Sequence, residues 1–133
     1  METELEVVAR SVQAFNRRDL EALLDTFDPA VELSPFSAQL TGATYRGEAG
    51  VRQWLDDIAD EWSEWRVVLD EVRPIGDRVL SLGRILARGR ETGVDVEVPA
   101  AFLSTVRDGR ITRLDSFGDA SRALAEAGVA ERA

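Results

Sequence analysis

Apolar positions in the first third of the chain repeat at helical spacing. Leu5, Val8, Val12 and Phe15 form one stripe, and Thr3-Glu4-Leu5-Glu6 is a capping box that predicts a helix starting near residue 4. Asn16-Arg17-Arg18 breaks the stripe, and Asp19 is the expected N-cap of a short second helix carrying Leu20, Leu23, Leu24 and Phe27. Asp28-Pro29 stops that helix before a short strand over residues 30–33 and a loop over 34–44. Gly47 to Gly50 opens a third helix, with Val51, Trp54, Leu55, Ile58, Trp62 and Trp65 on one side. From Arg66 the pattern becomes β-prone. It ends at Pro74 and turns at Ile75-Gly76-Asp77-Arg78 into three long strands between residues 79 and 117. Glu91-Thr92-Gly93 and Arg107-Asp108-Gly109-Arg110 separate those strands, each with the glycine that supplies the positive φ of a tight hairpin. Asp119 caps a last short helix through Leu124, which Gly128 closes.

Helices and strands are segregated along the chain, which predicts one α+β domain over residues 1–133: a curved antiparallel sheet with helices covering one face. Two rows of side chains follow from the strand period. Val79, Ser81, Gly83, Ile85 and Ala87, with Val96, Val98, Ala100 and Phe102, make a small, apolar, nearly uncharged row. It is assigned to the outer face, where such a patch predicts a homodimer. Leu82, Leu86 and Leu103 make the other row, which contains Arg84. A two-residue turn at Thr92-Gly93 would set Arg84 opposite Ala101, Arg88 opposite Glu97 and Arg90 opposite Asp95.

Composition narrows the functional classes. A formal net charge of −9 argues against nucleic acid or anionic membrane as a partner. Histidine and cysteine are both absent, which removes Cys/His zinc sites, Ser-His-Asp triads and disulfides. Asp28, Asp56, Asp57 and Asp60 do not form a calcium loop and read as turn or solvated helix face, so no metal or cofactor is expected. No apolar run reaches the ~18 residues of a membrane span, and the N-terminus lacks the regions of a signal peptide. The expected setting is cytoplasmic.

Phe15-Asn16-Arg17-Arg18-Asp19-Leu20, Asp28-Pro29, Tyr45-Arg46-Gly47, Gly50-Val51, Gly76-Asp77-Arg78-Val79, Arg107-Asp108-Gly109-Arg110-Ile111, Phe117-Gly118-Asp119 and Ala123-Leu124 occur in that order. In order and spacing the chain resembles the SnoaL-like group of the NTF2-like, ketosteroid isomerase-like superfamily. The resemblance implies a cone of curved sheet around the first helix, an internal hydrophobic pocket, and a homodimer through the outer sheet face. Members include isomerases, polyketide cyclases, epoxide hydrolases, dehydratases and non-catalytic binding modules. The isomerases' acid/base positions fall at Ser11, Ala101, Leu33 or Ser34, and Leu55, and a histidine common in relatives falls at Phe102. None keeps its ionisable group, so the resemblance does not imply a ketosteroid isomerase of the known design.

Five residues are the site candidates. Phe15, Trp54 and Tyr45 are expected to contact a small apolar ligand, with Trp62 and Trp65 extending an aromatic wall whose bland alternative is plain core. Asp115 depends on register. A two-residue Asp108-Gly109 turn places it opposite Phe102, on the outer face; a three-residue loop places it opposite Ala101, on the pocket face, beside Arg84. The second register is preferred. It gives an Arg84–Asp115 pair in which Asp115 is the candidate catalytic carboxylate and Arg84 a ligand contact, with ligand anchoring ranked above catalysis. Two functions follow: a small-molecule pocket protein, enzymatic or not, and a binding or dimerisation module.

Overall fold

Thr3 starts helix α1 (Glu4–Asn16) with both halves of the capping box closed: the Glu6 amide donates to Thr3 Oγ1 at 3.1 Å and the Thr3 amide to Glu6 Oε1 at 3.2 Å. The computed structural model describes residues 2–35 and 44–126. The buried face of α1 is Val7, Val8, Ser11, Ala14 and Phe15, so the helix is rotated slightly from the predicted stripe, and Leu5 and Val12 pack at its margins. Asp19 caps α2 (Leu20–Thr26) by accepting from the Ala22 amide. Asn16 joins this helical layer to the sheet. Its side chain donates to Val67 O and accepts from the Val67 amide, both at 2.9 Å, replacing the ladder partner that an edge strand lacks.

The remaining elements are β1 (Phe27–Ser34), β2 (Tyr45–Arg46), α3 (Gly47–Glu61), β3 (Trp62–Ile75), β4 (Arg78–Gly89), β5 (Asp95–Arg107), β6 (Arg110–Phe117) and α4 (Ala120–Glu126). They form one six-stranded sheet in the order β2-β1-β6-β5-β4-β3. The sheet is mixed, because β1 runs parallel to β6 while the other pairs are antiparallel. The third helix is shorter than its apolar pattern predicts. Its last bond runs from the Trp62 amide to Ile58 O, and Trp62 is already extended, so Trp62 and Trp65 belong to β3. Register shifts at Ser63 and Asp70 bring Trp62, Trp65, Val67, Leu69 and Val72 opposite the odd-numbered row of β4, on one face. At the second shift the strands approach so closely that a Cβ on Gly83 would lie 2.0 Å from Val68 O. Part of the predicted loop, residues 36–43, lies outside the described residues, as does Gly128.

The two sheet faces are the reverse of the sequence expectation. Val79, Ser81, Ile85, Ala87, Ala100 and Phe102 line the concave side, against α1 and α3; Val79 and Ser81 are fully buried within one chain. That row therefore cannot be the dimer surface, although its far end, Val94, Val96 and Val98, is exposed. Leu80, Ala101 and Leu103 point the other way and are buried together with Ala123 of α4. Both faces are apolar because both are covered. The helical layer took the row of small residues, which leaves room for a helix and a void.

Register also differs. The β4–β5 connection is longer than two residues: the Gly89 amide donates to Val94 O, and Arg84 pairs with Pro99 and Arg88 with Asp95. Asp108 and Gly109 form a two-residue turn with both φ positive (51° and 78°), as a type I′ hairpin requires. A register shift at Thr112 then sets Asp115 opposite Leu103, in neither predicted register and on the convex face.

Candidate functional site

Between α1, α3 and the concave sheet lies a cavity of about 410 Å3. Its wall is aromatic. Phe15 stacks on Trp54 at 5.0 Å between centroids and 29° between planes, and Trp62 lies 5.3 Å from Trp65 at 54°. Arg18 covers the outer side of the Phe15 ring, 4.4 Å from its centroid, and donates to Phe15 O and Trp65 O, which fixes the end of this wall. Aliphatic side chains, Val8, Val12, Leu23 and Ile85 among them, close most of the rest.

Two polar groups break the apolar surface. One is a floor of serines on the sheet. Ser81 of β4 and Ser116 of β6 flank Phe102 of β5 on one rung, and Ser104 occupies the next rung between Val79 and Leu114. Ser11 faces them from α1, with its hydroxyl donating to Val8 O at 2.6 Å. The other is at the open end. Tyr45 donates its phenol proton to Asp57 Oδ2 at 2.5 Å, and Gln53 Nε2 donates to Asp57 Oδ1 at 2.7 Å. Burial first, and then the bond to Asp57, push the Tyr45 phenol up to about 12. The bonds from Tyr45 and Gln53 hold the Asp57 carboxyl below its ordinary value. At neutral pH the pair is therefore a neutral phenol and a carboxylate whose bonds are already taken, a weak arrangement for proton transfer. Asp60 and Glu61 add two more carboxylates at this end, and no arginine lines the cavity among the described residues.

Three of the five sequence candidates meet here: Phe15, Trp54 and Tyr45 all line the cavity. Arg84 and Asp115 do not, and they do not pair. Arg84 is on the convex face with Asp70 and Glu97, each at 3.4 Å. Asp115, though buried, is held by Arg113 Nε at 3.0 Å, and Arg113 also reaches Glu32. The error has two physical sources, the longer β4–β5 loop and the reversed faces. The same reversal puts Ala101 outside the cavity, whereas Phe102, where relatives carry histidine, lies inside it. Asp57 and the sheet serines were missed. Asp57 sits in an acidic run that reads as solvated, and serine in a strand carries no signal until the facing element is known.

A six-stranded cone closed by a long helix over a lined cavity defines an α+β protein of the NTF2-like class. The SnoaL-like domain matches residues 8–114, and the chain belongs to that family. An uncharacterised protein of Mycobacterium tuberculosis is 32% identical over 118 residues, 87% of this chain and 88% of the relative. An NTF2-like protein of Burkholderia thailandensis is 28% identical and superposes with a TM-score of 0.79 over 98% of this chain and 100% of its own. TerC, solved with polyporic acid, is 27% identical, with a TM-score of 0.77 over 91% and 94% of the two chains. The protein thus resembles the SnoaL-like polyketide cyclases, a likeness that does not fix a reaction.

Proposed function

We propose that this protein binds an apolar ring compound, uncharged or cationic, in the cavity under α1. The observation that carries this reading is the 410 Å3 space with its Phe15–Trp54 and Trp62–Trp65 walls. That size and lining suit a small organic ligand, since such pockets run to about 300–1,000 Å3 and are mainly apolar. TerC's crystallisation with polyporic acid supports a small-molecule occupant. Asp57, Asp60 and Glu61 at the open end disfavour anions. With the Tyr45 proton committed to Asp57, binding is favoured over acid/base catalysis.

A thermal-shift comparison tests the reading. 2-Naphthol is expected to raise Tm in a dose-dependent way and 2-naphthalenesulfonate to leave it nearly unchanged, because only a binder of the native state stabilises it. Equal shifts would remove the role given to the acidic end, and no shift with 2-naphthol at its solubility limit would count against the pocket.

We also propose a homodimer in a cytoplasmic setting. No helix among the described residues is long and apolar enough to cross a membrane. The convex face leaves Val68 and Leu82 partly exposed among the Arg84 and Arg88 ion pairs, and a second copy would cover them. Sedimentation at micromolar concentration is expected to give twice the chain mass; a monomer's mass would refute the assembly.

A further inference from the structure

Ser81 is fully buried, and its hydroxyl is the one buried side-chain oxygen without a hydrogen-bond partner among the described residues. It lines the cavity floor. A buried hydroxyl with no protein partner is costly unless the contents of the cavity meet it. A strand interior gives no compensating reason for serine here, since alanine or valine would fill the same place without the cost. The neighbours show what the group is set up to meet. Ser116 is on the same rung across Phe102, Ser104 is on the adjoining rung, and Ser11 stands above them on α1. No charged side chain lies among these four positions, so they can offer hydrogen bonds but no proton transfer at neutral pH.

From this arrangement we propose that Ser81 is the specificity-determining contact of the cavity: it receives one uncharged oxygen, hydroxyl or carbonyl, at the buried end of the ligand. The inference rests on the pocket reading above and adds the ligand's chemistry. The ligand lies along the aromatic wall with its oxygen on the serine floor and its other end toward Tyr45 and Asp57. The hydrogen bond of Ser81 is open only to ligands that carry the oxygen, and a ligand without it leaves the hydroxyl unsatisfied.

The test compares 2-naphthol with naphthalene, which differ by that oxygen, in the wild-type protein and in Ser81→Ala. The wild type is expected to bind 2-naphthol about tenfold more tightly than naphthalene, the ratio that one satisfied buried hydrogen bond commands. Ser81→Ala is expected to lose that preference and to keep its affinity for naphthalene. Equal wild-type affinities, or a preference that survives in Ser81→Ala, would overturn the role of Ser81 and leave the pocket reading standing. Failure of both compounds to bind the wild type would overturn both. If Ser81→Ala folds poorly, Ser81→Cys, which keeps the size and exchanges the hydroxyl for a weak donor, makes the same comparison.

Discussion

Ile85→Asp is expected to abolish cooperative folding, while Leu86→Gln, one residue along, is expected to change stability by no more than about 1 kcal/mol. Ile85 is 1% exposed on the concave face, opposite Val67 and Val98, and borders the cavity. An aspartate there has no cation to pair with among the described residues of the cavity. It would have to stay protonated, which at pH 7 costs about 4 kcal/mol for a carboxyl with an ordinary value near 4. Loss of the buried isoleucine adds roughly 1.5–3 kcal/mol. The sum is comparable with the whole stability of a domain this size, about 5–15 kcal/mol. Leu86 lies on the convex face between Arg66 and Glu97, where a polar side chain reaches water. Far-UV circular dichroism during a urea titration reads both variants. A folded Ile85→Asp beside an unfolded Leu86→Gln would mean that the faces are assigned the wrong way round.

The second large effect is on Tyr45, the only tyrosine in the chain. Its ultraviolet titration is therefore that of one group. The midpoint is expected at about 12 instead of the ordinary 10. A phenol whose value is raised by folding contributes stability below pH 10, and that contribution fades as pH climbs through 12. Asp57 works with the opposite sign: its lowered value stabilises the fold above the ordinary carboxylate range and is lost on acidification through the folded value. Asp57→Asn should bring the Tyr45 midpoint down without returning it to 10, because burial, the larger cause, remains. A wild-type midpoint near 10, or no movement in Asp57→Asn, would show that the pair is not formed in solution.

Local chemistry carried most of the fold into view. The capping box at Thr3, the Asp19 and Asp119 caps and the glycine turns at Gly76 and Gly109 are short-range signals, and each marks an element boundary that the structure has. Phe15, Trp54 and Tyr45 were legible as neighbours of one cavity through the stripe of α1, the aromatic pattern before β3 and the resemblance of the Tyr45-Arg46-Gly47 turn. What failed was everything set by distant parts of the chain. A period of two says that Ile85 and Leu86 lie on opposite faces, not which face α1 will cover. The sense was lost because α4 buries Leu80 and Leu103 on the far side, making both rows apolar. The register shift at Thr112 inserts one residue without a glycine or proline to announce it, and Asp115 moved with it. Trp62 and Trp65 kept the helical spacing of the residues before them, and only the β-prone stretch that follows ends the helix.

Energy transfer from tryptophan to prodan, an uncharged naphthalene ketone, tests the central claim most directly. The chain has three tryptophans, and Trp54, Trp62 and Trp65 all line the cavity. A ligand inside it must therefore come close to every intrinsic donor. The expected result is a saturable loss of tryptophan emission with sensitised prodan emission, one site per chain, reversed by 2-naphthol. Emission that stays constant, or that falls linearly without saturation and is indifferent to 2-naphthol, would contradict a ligand-binding cavity in this protein.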